Sequence, residues 1–487
     1  MNKIIEQFYT SWKANLDDYL RGYVYTKNGQ KHKTRFAFLM LEKYLNKFLS
    51  STLSDEERII ILPGIRGVGK TTLLSQLYFF DDFVSANHHN VKQKSTKIDY
   101  KLYISADRLL AENISLKDFF EFLEKEVQLR QKQKVLLLID EIQYDPQWSL
   151  FLKLFFDKTK SWSNVIVFAT GSSAIFLNQK NQDLVRRTVT ERVLPEKFNE
   201  YLLLHKDIFP QTGLSAQLKE IIFHSQSAQK AFSSLQIIKP HIVEKLASVS
   251  DLEARKKDYF LRGSFPFSAE IDTRPQAMER IKNMVLINIV QKDLILSGDF
   301  DAETLVKVPD LLFLLANSDE ISVGKLAQVL NISPGTLNKV LDSLVKAEIL
   351  FELKPYGQPH VQVRKSSKFL FISPNIRAGL LSGFIDESIK GKFLEDYMAL
   401  IFEKEFKDKG IVLFDYSKSG ADFVLRFFDN SEIVIEVGFG KEETAQVENT
   451  MKKTSGRAKY AVIIGSQNLE LVSDNIIKIP LNYFLLM

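Results

Sequence analysis

One stretch constrains this chain more than any other: Ile59 to Leu74 reads IIILPGIRGVGKTTLL. Four apolar residues, Ile59 to Leu62, have the character of a buried strand and run straight into Gly64, Ile65, Arg66, Gly67, Val68, Gly69, Lys70 and Thr71, a full GxxxxGK[ST] match. Strand, glycine-rich loop and helix in that order make a cradle for phosphate. The glycines let backbone amides approach phosphate oxygens without interference from Cβ, and a helix opening near Lys70 turns the positive end of its dipole toward the same anion. Gly64, Arg66, Gly67, Val68, Gly69, Lys70, Thr71 and Thr72 are therefore the expected nucleotide contacts. Lys70 would reach the β and γ phosphates, and Thr71 would offer its hydroxyl to Mg2+, which takes hard oxygen ligands.

A chain of 487 residues is long enough for about three domains at ~150 residues each. With 45% hydrophobic and 26% charged residues it falls in the ordinary globular range. A net charge of +5 permits a nucleic-acid partner without requiring one. The absence of cysteine excludes disulfides, thiol catalysis and thiolate metal sites. The first residues, MNKIIEQFYTSWKANLDDYL, carry charges where a secretory segment needs an apolar run, and no window is apolar for the length of a membrane span, so the expectation is a cytoplasmic protein with no membrane partner.

Downstream, residues 81 to 100 form a polar run whose His88 and His89 lack neighbouring ligands for a metal and read as a solvated insertion. Ser54 and Glu57 have capping spacing but lead into a strand, and carry no weight here. Lys101 to Ala106 reads as a strand, and Ser115 to Arg130 as a helix capped by Ser115. Val135 to Ile139 is a continuous apolar run of the kind found in a central parallel strand, ending in Asp140 and Glu141. Following a phosphate loop, these acids acquire roles: Asp140 to hold Mg2+, Glu141 to orient or deprotonate the water that attacks the γ phosphate. Val165 to Ala169 is a further strand, ending in Thr170, Gly171, Ser172 and Ser173. Thr170 or Ser172 could hydrogen-bond the water or the phosphate, or the segment could be a simple turn.

Together with Asp140-Glu141-Ile142-Gln143, the later Trp148, and Leu194 to Tyr201 (LPEKFNEY), these motifs resemble the AAA-type ATPases of bacteria and archaea that carry a C-terminal nuclease-like domain. Tyr259 to Pro266 is similar to that family's Gly-Gly-Phe-Pro segment, with Ser264 in place of a glycine, and Asn288 to Asp293 to a helix behind it. The family has a Gly-Arg pair where this chain has Arg186-Arg187. The resemblance makes Arg187 a candidate contact to the γ phosphate, in its own chain or a neighbour's, against the alternative of a plain surface charge.

Residues 202 to 300 are helical in period and would form a lid. Ser322 and Ser333-Pro334 then open a helix-turn-helix, with Ile349 to Leu353 and Lys368 to Ile372 as the strands of a wing. The second helix exposes Thr336, Asn338, Lys339 and Asp342, near neutral overall, while Arg364, Lys365 and Lys368 put charge on the wing. Contact with DNA and contact with protein both stay open. From Gly391 the order of elements resembles the PD-(D/E)xK nuclease fold, which implies that Glu395, Asp422 and Glu436 gather metal ions. That pattern's lysine is replaced by Gly438, and Lys441 would reach the site only if Gly438 and Gly440 bent the strand end back, so this domain is expected not to cut DNA.

The fold expected is α/β: a P-loop NTPase parallel sheet with helices on both faces, then a helical lid, a winged helix and a small restriction-endonuclease-like α/β domain. The boundaries are 1–54 for N-terminal helices, 55–204 for the ATPase core, 205–304 for the lid, 305–375 for the winged helix-turn-helix and 376–487 for the nuclease-like domain. The function expected is a Mg2+-dependent ATPase acting as a nucleotide-gated switch or remodeller on nucleic acid. The rival is a non-enzymatic nucleotide-bound scaffold that recruits a protein. ATP, DNA through the winged helix, a protein and further copies of the chain are the partners this reading admits.

Overall fold

The fold is that of a computed structural model, which describes residues 2–83, 98–171, 184, 186–287, 294, 300–317, 322–386 and 389–487. His88 and His89, Ser172 and Ser173, and Asn288 to Asp293 lie outside the described residues. Two compact units divide the chain at Val193 and Leu194.

The first unit is built on five strands: β1 (Ile59–Pro63), β2 (Tyr100–Ser105), β3 (Val135–Asp140), β4 (Val165–Gly171) and β5 (Val189–Thr190). They pair in the order β2-β3-β4-β1-β5, all parallel. β1, β3 and β4 are buried at every residue, which is why each reads as an unbroken apolar run rather than an alternating one. Parallel neighbours need crossovers, supplied in part by helices Lys70–Tyr78, Leu116–Val127 and Trp148–Thr159. β4 lies between the phosphate-loop strand and the acidic strand, with Val167 opposite both Ile59 and Leu137. That register brings the carboxyl ends of three strands to one edge of the sheet, where open α/β sheets bind ligands.

Helices Asn2–Val24 and Phe36–Leu49 belong to this unit rather than standing apart from it. Trp12 Nε1 donates to the Tyr103 carbonyl at 2.7 Å, and Phe38, Leu41, Leu45 and Phe48 are buried. Ser54 and Glu57, given no weight above, do form a capping box, on a single 3-10 turn that precedes β1. The unit ends at Val193, eleven residues short of the expected 204.

The second unit carries an eight-stranded sheet, ordered β12-β13-β11-β10-β9-β8-β6-β7. Its strands are β6 (Leu350–Pro355), β7 (Lys368–Phe371), β8 (Gly410–Phe414), β9 (Phe423–Phe427), β10 (Glu432–Val437), β11 (Ala458–Ile464), β12 (Glu470–Ser473) and β13 (Ile476–Ile479). Helix Lys390–Glu405 precedes an antiparallel run of β8, β9 and β10, and helix Ala445–Lys453 returns the chain to β11, parallel to β10.

The helices of residues 205–304 differ from the expectation of a lid. Leu218, Ile222, Phe223, Leu235 and Ile242 share one core with Phe406, Phe427, Tyr460 and Ile477. An amphipathic pattern announces that a face is buried, not which partner buries it. Nor do the boundaries at 304 and 375 separate independent bodies: helix Ala302–Asn317 runs through the first, and β6 pairs with β8 across the second, Lys354 opposite Leu413. Arg377 fastens the same junction, donating to Asp396 at 2.6 and 3.0 Å and to the carbonyls of Leu315 and Ala316 at 3.1 and 2.8 Å. No described helix is long and apolar enough to cross a membrane.

Candidate functional site

The loop after β1 turns through Gly67 (φ 84°) and Gly69 (φ 86°), left-handed conformations that a side chain resists, and Gly69 caps the helix that begins at Lys70. At Gly64 a Cβ would stand 2.4 Å from the Val193 carbonyl oxygen, so only glycine lets the loop leave the sheet there. Lys70 is buried, its Nζ donating to the carbonyls of Gly64 at 2.6 Å and Ile65 at 3.1 Å. The ammonium is thus held against the loop.

Asp140, at the end of β3, is the acceptor on which the site converges. Its Oδ2 accepts from the Thr71 hydroxyl at 2.7 Å and the Tyr103 hydroxyl at 2.8 Å; its Oδ1 accepts from the Glu141 amide at 3.0 Å and from the Thr170 hydroxyl. Thr71, the adjacent pair Asp140 and Glu141, and Thr170 come from three separate stretches of sequence and meet where the strand ends align. Every donor on Asp140 is neutral, and among the described residues it makes no ion pair. A hydroxyl and an uncompensated carboxylate touching each other are the hard oxygen set that Mg2+ selects, so the residues present fit that ion.

Two contributors carry no motif. Tyr103 comes from β2, whose register sets it opposite Leu138 and brings Ser105 opposite Asp140. Burial, then the Asp140 charge, drive its phenol far above the usual range, so it remains a donor. The buried Arg35 donates to the Val68 carbonyl of the loop from the segment before helix Phe36–Leu49. Neither position has a spacing signal; only the sheet register and the packing of the N-terminal helices reveal them.

Arg187 is not brought to this group. It pairs with Asp157 at 3.0 and 3.4 Å, near the far end of helix Trp148–Thr159. Ser172 lies outside the described residues, which leaves Thr170 as the placed hydroxyl of the pair.

The second unit does gather Glu395, Asp422, Glu436 and Lys441. The Asp422 amide donates to Glu436 at 3.2 Å, and the Val437 amide to Asp422 at 3.0 Å. β10 ends at Val437 and Gly440 adopts φ 63°, so the chain turns back and Lys441 Nζ sits 2.7 Å from Glu436 and 2.5 Å from Gln446. The bend on which Lys441's arrival depended is therefore present. Lys368, expected among the charges of the wing, is instead drawn inward: its Nζ lies 2.5 Å from Glu395 and 3.4 Å from Asp422, while Lys392 holds Glu395 at 2.8 Å. As the first residue of β7 it is delivered by the Phe371 amide, which donates to Asp396, next to Glu395, at 2.9 Å. Burial would raise Glu395, but Lys368 and Lys392 overcome it and hold the carboxyl near 2. Burial and the Asp422 charge push Glu436 up to about 7, with Lys441 opposing.

A family described as AAA domain matches residues 56–202, and one described as a domain of unknown function (DUF8612) matches residues 254–384. An uncharacterized protein of Haemophilus influenzae is 22% identical over 350 residues, 70% of this chain and 73% of that one. Among solved structures, the Walker-type ATPase PABY2304 of Pyrococcus abyssi is similar at 14% identity and a TM-score of 0.43, over 72% of this chain and 98% of that one. The Aeropyrum pernix Orc1 protein, solved in complex with DNA, is similar at 11% identity and a TM-score of 0.30, over 71% of this chain and 91% of that one. Likenesses that distant bear on neither activity nor partner. An uncharacterized protein of Methanocaldococcus jannaschii is 35% identical over 464 residues, 94% of this chain and 90% of that one. With a phosphate loop and acidic strand end built as described and an AAA domain over residues 56–202, this AAA-type P-loop protein belongs to the family of that Methanocaldococcus jannaschii protein.

Proposed function

We propose that the chain binds ATP with Mg2+ and hydrolyses it, using the cycle to switch or remodel a nucleic-acid partner. The observation that carries this reading is the 2.7 Å contact between Thr71 and Asp140, which joins the phosphate loop to the acidic strand. Bound there, Mg2+ would be held by these two groups and would neutralise charge on the phosphates. Lys70 binds the β and γ phosphates. Glu141 accepts a proton from water as its oxygen bonds to the γ phosphorus and the bond to the β-phosphate oxygen breaks, giving ADP and inorganic phosphate. Thr170 orients the acid pair through Asp140.

The nucleic-acid part rests on the second unit. Helices Val323–Leu330 and Pro334–Lys346 are capped by Ser322 and Ser333 and followed by the antiparallel ribbon β6–β7, the order of a winged helix-turn-helix. A cleft of about 560 Å3 between helix and ribbon is lined by Asn338, Asp342, Lys354, Arg364 and Lys365 among others. The carboxylate cluster is proposed to be inert as a nuclease, because Lys368 and Lys392 occupy Glu395 and Asp422 with ammonium. Arg187 is proposed to serve a neighbouring copy, its surface location being suited to action across subunits. ATP turnover measured with and without DNA tests the reading: DNA-stimulated hydrolysis, lost in Glu141→Gln, is expected. Tight nucleotide retention with no turnover would instead make the chain a regulatory scaffold. DNA cleavage lost in Asp422→Ala would overturn the inert assignment.

A further inference from the structure

Glu141 has a backbone conformation unusual for its residue type. Its φ of 51° lies in the left-handed region, which a non-glycine residue occupies only when its surroundings hold it there. Three sets of bonds do so. The Glu141 amide donates to Asp140 at 3.0 Å, its carbonyl accepts from the Tyr144 amide at 3.0 Å, and Asp145, closing the turn, accepts from the Leu116 amide at 2.7 Å. Ile142 is wholly buried beneath the turn. The kink winds residues 141–144 into a 3-10 turn, and this folds the half-buried Gln143 side chain onto Glu141: Gln143 Nε2 donates to Glu141 Oε2 at 2.6 Å.

We propose that Gln143 is a positioning residue for hydrolysis, fixing the orientation of the Glu141 carboxylate that receives the water proton. A glutamate has three side-chain torsions, and a base that must meet water in line with phosphorus works only in a small part of that range. An amide suits the task. It donates at every pH, and being neutral it orients the carboxylate without cancelling the charge that draws the proton, which a lysine in its place would do. The bonds made and broken are those of ATP hydrolysis, with Gln143 neither gaining nor losing a proton.

This inference rests on Glu141 being the base, and the experiment separates the two claims. In the full chain, Gln143→Met keeps the volume and removes the donor; Gln143→Ala is the second variant, in case the first perturbs folding. Turnover, KM, affinity for a fluorescent ATP analogue and melting temperature are measured for each, and in a Glu141→Gln background by single turnover. The expected result is a kcat lower by about 10- to 100-fold, the scale of a lost hydrogen bond to a charged group, with KM, analogue affinity and melting temperature unchanged. In the Glu141→Gln background the same change should cost nothing further, because the oriented base is already gone. An unchanged kcat, or an equal loss in both backgrounds, overturns the role of Gln143. Full turnover by Glu141→Gln alone overturns the assignment of the base instead.

Discussion

Two groups of carboxylates in this molecule are treated in opposite ways. Among the described residues, Asp140 is met by hydroxyls and an amide and by no ion-pair partner. Glu395, Asp422 and Glu436 are met directly by ammonium groups from Lys368, Lys392 and Lys441. Neutral donors orient an anion but leave it able to bind a cation, whereas an ammonium at 2.5 to 2.8 Å satisfies it on the spot. The first arrangement suits the cation site proposed above. The second is that of an internal joint, and it ties β7 to the helix and strands that follow.

The largest expected difference comes from removing a lysine at each. Lys70→Ala should abolish binding of a fluorescent ATP analogue, since the triphosphate loses its main point charge, while circular dichroism still reports a folded protein. Unchanged affinity would break the comparison at its first member. Lys368→Met should do the reverse and damage the fold. It leaves Glu395 and Asp422 buried side by side without their shared cation, and breaking a buried pair costs about 3–5 kcal/mol, readable in urea unfolding. If the variant is as stable as its parent, the ammonium is not structural.

How much of this could be read from the residues follows the same division. The phosphate loop and Asp140-Glu141 are legible because each is contiguous, and the chemistry demands those residue types in a row after an apolar strand. Tyr103 and Arg35 are not, because their roles arise from sheet register and helix packing that no local spacing records. Lys368 illustrates the opposite error. On a two-stranded ribbon it reads as surface charge, but the ribbon joins a larger sheet through β8, and the same residue points into a carboxylate cluster. The turn that returns Lys441 runs through Gly440, whose φ of 63° is the conformation a glycine admits, but nothing local in the sequence says that the turn is made.

A subtler distinction is in pH dependence. Glu436 titrates near 7 in the folded protein, above the ordinary 4.5, so the folded state binds its proton more tightly than the unfolded chain. Its contribution to stability should grow as pH falls from about 7 toward 4.5, and Glu436→Gln should flatten that part of the curve. Glu395 runs the other way: held low by its lysines, it stabilises above 4.5 and loses that contribution as pH falls toward 2. Stability that is level between pH 8 and 5 in the parent would argue against the buried cluster.

The smallest effect concerns DNA. Arg364 and Lys365 are exposed, whereas Lys368 is engaged inside. Replacing the first two with alanine should lower the log-log salt slope of binding by about 0.9 per lost phosphate contact, equally for all sequences. An unaltered slope would turn the helix and ribbon into a protein-contact surface.

Asp140 and Glu141 are proposed to form the working end of an ATPase. Phosphate release from ATP in Mg2+ decides this, parent and Glu141→Gln side by side, with nucleotide affinity measured on both. The expected result is equal affinity with hydrolysis reduced by about 10²- to 10⁴-fold in the variant, the range of a lost general base. Equal hydrolysis by the two proteins would contradict the account.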